Sequence, residues 1–398
     1  MSKTQIAAIE FGTSKIVTII AQNGGIDRLE FLGTGTVPYD GYQDGDWNTP
    51  GQMIQRVRDS IAAAELEANE KIKEIYVGVP GEYIHVCCTE AEVDLGEEGV
   101  TGEDMDMVQD IAADKLQIAE MGGFVLHRSP AWFQVDEGKR TMEPNGHGQK
   151  LRACTSFVVA DPQFIEDIKE ILGALNITIL GFLSPTLGMS KLLVPVVDRD
   201  RTSVLIDCGY LSTEINVICG EAIIYHAILQ MGGGHITADL ASQLRIPMRA
   251  AEQIKRSYVF NPDEFDQDAF AEVYDARGRR LTFPREVVSQ CVERTMDELC
   301  SMIDMTLKND ALDLLGARSQ IYLTGGGIGM MRSARDYLAE KIGRPVKAAA
   351  PKTAKMNSPV YSSALGLVDL TFDSIERYDD DRGDSFGSKL TGFLKKRK

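Results

Sequence analysis

The stretch that decides the fold lies near the start of the chain, where residues 6–21 read IAAIEFGTSKIVTIIA. A matching stretch at residues 204–219 reads VLIDCGYLSTEINVIC. Each has an apolar run, then a carboxylate, one residue and a glycine, and then a second apolar run. Apolar, β-branched runs on both sides of a glycine turn predict a β-hairpin. Two matched hairpins, one in each half of the chain, indicate an internal repeat.

The elements after the two hairpins also correspond. Apolar spacing predicts a strand, a helix and a strand end in each half. In the first half, the strand lies at 30–33, the helix at 50–69 and the strand end at 75–81. In the second half, the strand lies at 222–230, the helix begins at about Ile236 and the strand end lies at 321–327. The predicted fold class is therefore α/β, with two duplicated lobes that face each other across a cleft.

The first lobe is predicted to carry a small α/β insertion at residues 82–161. Strand-like runs stand at both ends of this insertion. A helix is predicted at 105–120, because Thr101 or Asp104 can cap its start and Gly122 can end it.

The second lobe is predicted to carry a larger, mostly helical insertion at residues 236–316. Helical spacing covers 248–258 and 285–315. The residues between them, 261–280, are predicted to form a polar connection.

The composition is that of a soluble globular protein. The 398 residues are 43% hydrophobic and 25% charged, and the net charge is −17. No apolar run is long enough to predict a membrane-spanning helix, and the seven cysteines are scattered without zinc-ligand spacing. Acidity over the whole chain argues against nucleic-acid binding. We therefore expect a cytoplasmic protein with no nucleic-acid partner.

The two hairpin turns suit phosphate. A glycine turn brings backbone N–H groups close to a ligand, because no Cβ stands in the way. The predicted contacts in and around the turns are Gly12, Thr13, Ser14, Lys15, Gly209, Ser212 and Thr213. The carboxylates of Glu10 and Asp207 are predicted to hold Mg²⁺ through waters, since magnesium keeps several waters in proteins.

Glycine runs follow two further predicted strands, each before a helix. Such a turn can seat a phosphate or a flat base against backbone N–H groups. The predicted contacts there are Gly233, Gly325, Gly326 and Gly327. Glu252 and Lys255 lie three apart on one helix face, so they are candidates to hydrogen-bond a ribose. A repeat that binds no ligand, with Glu252 and Lys255 as a surface ion pair, is the alternative.

No catalytic side chain stands out. The five histidines show no paired spacing, and the sequence has neither a G-x-S-x-G motif nor a P-loop. The catalytic residues, if any, are therefore not predicted.

The end of the chain is predicted to bind a membrane surface. Residues 373–385 form an acidic linker, and residues 386–398 carry five positive charges and no negative one. The apolar and basic side chains of this segment are Phe386, Leu390, Phe393, Leu394, Lys395, Lys396 and Arg397. The apolar ones fall on one helix face, which predicts a short amphipathic helix that binds an anionic membrane. A basic end that only keeps the protein soluble is the alternative.

Taken together, these motifs resemble the FtsA family of bacterial actin homologues, within the actin/Hsp70/sugar-kinase superfamily. The resemblance rests on AIEFGTSKI at 8–16, MGGGHITADLASQLRIPMRAAEQIKRSY at 231–258, YLTGGGIGM at 322–330, and the linker with its basic end. It implies an actin-like fold of two ribonuclease-H-like lobes. The implied boundaries are 1–81 and 162–200 for the first lobe, with 360–372 packing back on it, and 201–235 and 317–359 for the second.

The resemblance also implies a function. It describes an ATP- and Mg²⁺-binding adaptor that forms filaments on the cytoplasmic face of the inner membrane at the division site. It would tether filaments of the tubulin-like protein FtsZ there. The FtsZ tail would dock on the second insertion, with Arg294 and Asp297 as candidate contacts.

Two departures from the family pattern concern hydrolysis. Glu10 stands where the family usually has Asp, and Tyr210 replaces a glycine near the predicted phosphate site. A tyrosine resists the positive φ that glycine allows. We therefore expect at most a weak ATPase. A pilus-assembly actin-like adaptor and a small-molecule kinase of the superfamily are the alternative functions.

Overall fold

The computed structural model describes residues 4–24, 29–117, 122–260, 270–274, 278–353 and 355–383. The strands of this part are β1 (Gln5–Phe11), β2 (Lys15–Asn23), β3 (Leu29–Pro38), β4 (Tyr42–Gln43), β5 (Asp46–Trp47), β6 (Glu74–Gly78), β7 (Ile84–Asp94), β8 (Phe124–Val135), β9 (Lys150–Ala160), β10 (Thr178–Leu183), β11 (Ser203–Cys208), β12 (Thr213–Cys219), β13 (Ala222–Leu229), β14 (Phe270–Tyr274), β15 (Arg280–Pro284), β16 (Ile321–Thr324) and β17 (Val346–Ala348). The α-helices are α1 (Met53–Ala68), α2 (Gly102–Lys115), α3 (Pro162–Ala174), α4 (Pro185–Leu193), α5 (Val196–Arg199), α6 (Gly233–Leu244), α7 (Met248–Ser257), α8 (Arg285–Asn309), α9 (Ala334–Ile342) and α10 (Ser362–Gly383).

Two five-stranded sheets in the described residues have the same topology. Their orders are β3-β2-β1-β6-β10 and β13-β12-β11-β16-β17. In both, three antiparallel strands are followed by two parallel ones. The repeat predicted from the two hairpins is therefore confirmed. Each hairpin strand is buried on both sides, because helices cover the sheets.

The insertion after β6 is a three-stranded antiparallel sheet, in the order β7-β9-β8, with α2 packed on it. The helix begins at Gly102, since Thr101 and Asp104 form a reciprocal capping box at its start. It ends at Lys115, which is five residues before the predicted end at 120. The strands are also longer than predicted, because polar residues alternate with the apolar ones that face α2.

The second insertion differs from its prediction in three places. Helix α6 starts at Gly233, because the glycine run itself forms the first turn. Part of the predicted polar connection is the hairpin of β14 and β15, in which buried Val273 packs on the core of this lobe together with Leu281 and Phe283. Helix α8 ends at Asn309, and a short 3₁₀ turn follows at Leu312–Leu314.

The predicted acidic linker at 373–385 is helical as far as residue 383, because α10 continues through it. The first turns of α10 bury Leu365, Leu367 and Val368 against β1, β2 and α4. Further along, Asp373 accepts a 2.7 Å ion pair from Lys191 on α4. That contact ties the acidic segment to the body of the protein and favours helix over a solvated linker.

Candidate functional site

The two hairpin turns have matched backbone geometry. In the first, the N–H of Gly12 donates to the carbonyl of Lys15 at 3.0 Å. In the second, the N–H of Gly209 donates to the carbonyl of Ser212 at 2.9 Å. Each turn begins just after its carboxylate-bearing strand, so the two turns present equivalent backbone groups from the two lobes.

The turns meet each other through one hydroxyl. Thr13 Oγ1 accepts hydrogen bonds from the backbone N–H groups of Tyr210 and Leu211, each at 3.1 Å. Two N–H groups that converge on one oxygen form the kind of concavity that binds anions. The structure thus brings the predicted first-hairpin contact against the second hairpin.

Both glycine runs close on the second hairpin. The N–H of Gly233 donates to the carbonyl of Gly209 at 3.0 Å, and the N–H of Gly327 donates to the carbonyl of Cys208 at 2.7 Å. A Cβ on Gly327 would lie 2.0 Å from the carbonyl oxygen of Gly209, and one on Gly233 would lie 2.3 Å from that of Gly327. Side chains at these positions would therefore force the backbone segments apart.

The last glycine run also contacts the predicted metal ligand. Gly325 has φ +93°, a conformation that favours glycine, and a Cβ there would lie 2.2 Å from Asp207 Oδ1. A Cβ on Gly326 would lie 3.1 Å from the side chain of Val360. The predicted glycine contacts therefore lie together, around the turn that follows β11.

The first hairpin contributes a carboxylate, Glu10, and a lysine, Lys15. Glu10 is 6% exposed and accepts a 2.9 Å hydrogen bond from the hydroxyl of Ser363 at the start of α10. Burial raises the pKa of Glu10 to about 7, although Lys15 opposes the rise. Lys15 Nζ donates to the carbonyl of Val360 at 2.8 Å and lies 4.4 Å from the ring centroid of Tyr361. Burial lowers the pKa of this lysine, and Glu10 and Asp207 oppose that change.

A third carboxylate, Glu214, was missed by the sequence reasoning. It stands directly across the ladder from Asp207 and accepts a 3.0 Å hydrogen bond from the hydroxyl of Thr186. Burial, with added repulsion from Glu214 and Glu10, raises the pKa of Asp207 well above its usual range. The signal in the sequence is a lone charge inside a mostly buried strand, next to the predicted site.

Magnesium fits this donor set through waters. Among the described residues, no three His, Cys, Asp or Glu side chains lie close enough to chelate a metal directly. Glu10 and Asp207 supply one carboxylate from each lobe, and burial disfavours the charged form of both. A hydrated divalent cation between them would offset that cost, since magnesium binds through few carboxylates and several waters.

Three further predicted side chains, Thr213, Glu252 and Lys255, have partners within the protein. Thr213 Oγ1 donates to the carbonyl of Met231 at 2.7 Å. Lys255 is 2% exposed, pairs with Glu252 at 2.8 Å and donates to the carbonyl of Gly233 at 3.0 Å. Lys255 therefore holds the glycine turn through its hydrogen bond to the carbonyl of Gly233. Glu252 is the more exposed residue of the pair.

Tyr210 does not need the backbone geometry of glycine. Its φ is not positive, unlike that of Gly325. The expectation that a tyrosine strains this turn is therefore wrong, because the second hairpin closes without a left-handed residue at that position. Ser14 and Ser212 lie in the two turns as predicted, and Ser14 accepts at its carbonyl from the N–H of Tyr39.

The two candidate partner contacts on α8 face different neighbours. Arg294 pairs with Asp239 on α6 at 2.6 Å, beside a cavity of about 410 Å³ between these helices. Asp297 instead pairs with Lys341 and accepts from the hydroxyl of Tyr337, both on α9 and both at 2.6 Å. Arg294 therefore lies at a groove, whereas Asp297 lies in a contact between two helices.

The predicted membrane-binding segment, 386–398, lies outside the described residues. Within the described part of the chain, the structure has no helix that is long and apolar enough to cross a membrane.

Two duplicated five-stranded lobes that meet at paired glycine turns define an actin-like protein. Comparison with solved structures confirms the fold. The chain matches one in a PilM–PilN type IV pilus biogenesis complex with a TM-score of 0.62, at 14% identity over 92% of this chain and 98% of that one. It also matches MreB5 of Spiroplasma citri bound to AMPPNP with a TM-score of 0.56, at 10% identity over 95% and 98%.

Within that class, the sequence is similar to FtsA. The family model described as cell division protein FtsA matches residues 204–366. Cell division protein FtsA of Pseudomonas aeruginosa is 25% identical, over 92% of this chain and 89% of the relative. The Bacillus subtilis protein of that name is 22% identical, over 91% and 82%. These matches confirm the resemblance to the FtsA family that the motifs indicate.

Proposed function

We propose that the protein binds ATP with Mg²⁺ in the cleft between its two lobes. The observation that carries this proposal is the pair of matched hairpins, one from each sheet, that meet at Thr13. Lys15 adds a cation at the first turn, and the glycine runs let backbone approach the ligand closely. The MreB5 structure bound to AMPPNP has the same fold and supports a nucleotide as the ligand.

In this proposal the nucleotide joins the lobes. The phosphates contact both turns, and Glu10 and Asp207 hold the hydrated magnesium from opposite lobes. Because the ligand contacts both lobes, it favours one angle between them. No side chain is assigned as a general base, so turnover is expected to be slow.

Binding of a fluorescent ATP analogue, with and without Mg²⁺, tests the proposal. Asp207→Asn should remove most of the magnesium dependence, because it removes the carboxylate of the second lobe. Asp200→Asn, on an exposed loop residue, is the matched control. Absence of saturable binding by the unmodified protein would overturn the proposal.

We also propose that the protein is a cell-division adaptor that assembles into filaments on the membrane. The similarity to FtsA over nearly the whole chain supports this role. The basic amphipathic end supports membrane attachment, since its apolar face is small and several copies in a filament would bind far more tightly than one.

Co-sedimentation with anionic liposomes tests the membrane role. The full chain should pellet with the vesicles, and a chain that ends at Asp384 should not. The Phe393→Asp variant should behave like the truncation, because it places a charge on the apolar face. ATP should increase pelleting if nucleotide controls assembly. If the full chain stays in the supernatant at concentrations that favour assembly, the membrane role is wrong.

The partner is proposed to be the C-terminal peptide of FtsZ, held at the groove between α6 and α8. Arg294 lies at this groove with an exposed side chain, and Glu298 and Met302 line the same cavity. Binding of the labelled peptide should weaken in Arg294→Ala. Arg335→Ala, an exposed arginine on α9, is the matched control. If both variants bind the peptide equally well, Arg294 is not part of the binding site. If the unmodified chain does not bind the peptide, FtsZ is not the partner.

A further inference from the structure

Tyr210 connects three segments of the cleft. Its N–H donates to Thr13 Oγ1 at 3.1 Å, and its carbonyl accepts from the N–H of Gly234 at 2.7 Å. A Cβ on Gly234 would lie 2.8 Å from Cε1 and 2.9 Å from Cζ of the tyrosine, so the ring lies directly on this glycine. Lys255 Nζ is 5.6 Å from the ring centroid. One residue thus contacts the first hairpin, the glycine turn of α6 and the lysine of α7.

The hydroxyl oxygen of Thr13 accepts hydrogen bonds from the same N–H groups that would donate to a bound phosphate. The N–H groups of Tyr210 and Leu211 both point at Thr13 Oγ1. In the proposed function, these same groups would bind a phosphate oxygen. One pair of donors cannot make both sets of hydrogen bonds at full strength, so the hydroxyl and the phosphate compete.

We propose that Thr13 and Tyr210 form a latch between the lobes that must open before phosphate binds. Thr13 supplies the oxygen of the latch. Tyr210 is a positioning residue, because its ring rests on Gly234 and holds the two N–H groups against that oxygen. The inference rests on the proposed nucleotide-binding function, and its source is a tyrosine where the family pattern has a glycine.

The latch and a direct contact between Thr13 and the nucleotide predict opposite changes in ATP affinity for the substitution Thr13→Val. Thr13→Val keeps the shape of the side chain and removes the oxygen, which leaves two partly buried N–H groups without this acceptor. Phosphate would then restore their hydrogen bonds, so ATP should bind about fivefold more tightly. If Thr13 instead contacts the nucleotide directly, Thr13→Val should weaken binding.

The experiment is titration of the full chain with a fluorescent ATP analogue and Mg²⁺. Thr13→Ser should restore the dissociation constant of the unmodified protein, because serine returns the oxygen. Thr36→Val, at an exposed residue of β3, is the matched control for the loss of a hydroxyl. Urea unfolding of each variant shows that it is folded.

Tyr210 is tested in the same titration. Tyr210→Gly removes the ring that holds the turn and should tighten ATP binding, and Tyr210→Phe should restore the original value because it keeps the ring. The double variant with Thr13→Val should bind no more tightly than the tighter single variant, since both changes open one latch. A role in stability alone would not produce this lack of additivity in the dissociation constant.

Two results would overturn the latch while the proposed function stands. In the first, Thr13→Val leaves the affinity for ATP unchanged or weakens it. In the second, the effects of the Thr13 and Tyr210 substitutions on the affinity for ATP simply add in the double variant. Absence of ATP binding in the unmodified protein and in every variant would overturn the proposed function and the latch together. The two failures are therefore distinguishable.

Discussion

The two hairpins share a backbone but differ in what holds them. The first places a buried carboxylate against α10 through Ser363, and a lysine against the 3₁₀ turn Pro359–Tyr361 through Val360. The second is enclosed by glycine backbone, with the carbonyl of Gly209 bonded to Gly233 and packed against Gly327. The duplicated scaffold therefore supplies equivalent N–H groups, whereas the lysine comes from the first hairpin and the close glycine packing from the second.

This difference gives the two turns different tolerances. The first can lose a charge or a hydrogen bond and keep its backbone in place. The second has no room for an added atom at Gly327.

The largest effect is expected from a methyl group on Gly327, which packs against the turn of the second hairpin. Gly327→Ala places a Cβ 2.0 Å from the carbonyl oxygen of Gly209, so backbone must move. We expect a loss of about 3 kcal/mol in the free energy of unfolding, measured in urea. Gly12→Ala, within the turn of the first hairpin, is the comparison, since the nearest atom there is 3.4 Å away, and it should cost less than about 1 kcal/mol. Equal losses would contradict the contrast.

The next effect concerns the buried charge of the first hairpin. The pKa of Glu10 rises from an ordinary 4.5 to about 7 in the folded protein, so the folded state binds this proton more tightly than the unfolded state. Glu10 therefore makes its whole contribution to the free energy of unfolding below pH 4.5, and this contribution is lost as the pH rises through 7. Glu10→Gln carries no titrating proton, and at pH 8 without nucleotide or magnesium it should be about 2 kcal/mol more stable than the unmodified protein.

Urea unfolding at several pH values between 5 and 8 checks this prediction. The advantage of Glu10→Gln should shrink as the pH falls. An advantage that is constant across this range would indicate a packing effect instead of a proton. Glu97→Gln, at an exposed residue of the first insertion, is the control for the loss of a negative charge.

A smaller effect is expected from the lysine of the first hairpin. Lys15→Met keeps the length of the side chain and removes its charge, so ATP should bind about tenfold more weakly. Lys169→Met, an exposed lysine on α3, should bind ATP as the unmodified protein does. Titration with the fluorescent analogue measures both. Equal affinities would show that the first hairpin adds no charge to the site.

The smallest effect is expected where α10 contacts Glu10. Ser363→Ala removes a hydrogen bond that lowers the pKa of this carboxyl. The hydrogen bond stabilises the ionised carboxylate of Glu10 more than the protonated carboxyl. The variant should therefore be about 1 kcal/mol less stable than the unmodified protein at pH 8, and closer to it in stability at pH 5. Ser374→Ala is the matched control on the same helix, because that hydroxyl bonds only the carbonyl of Leu370 among the hydrogen bonds described. A loss independent of pH would contradict the prediction.

Much of the fold could be predicted from the sequence, because its signals are local. Alternation and glycine turns gave both hairpins, and the capping pair at Thr101 and Asp104 marked a helix start. The errors lie where long-range contacts decide. The acidic segment after residue 372 continues α10, and its long-range contacts include the pair of Asp373 with Lys191, 182 positions away in the chain. Glu214 was overlooked because its place beside Asp207 depends on the register of two strands.

The duplicated lobes, the glycine turns and the types of side chain available to the site can be read from the amino-acid sequence. These follow from periodicity and from the backbone freedom of glycine, which act over a few residues. Which groups meet at the site depends on the tertiary structure. Thr13 accepts from N–H groups 197 and 198 positions away, and Lys15 reaches Val360, 345 positions away. Such contacts depend on how two separately formed sheets pack together, and no local pattern encodes that packing.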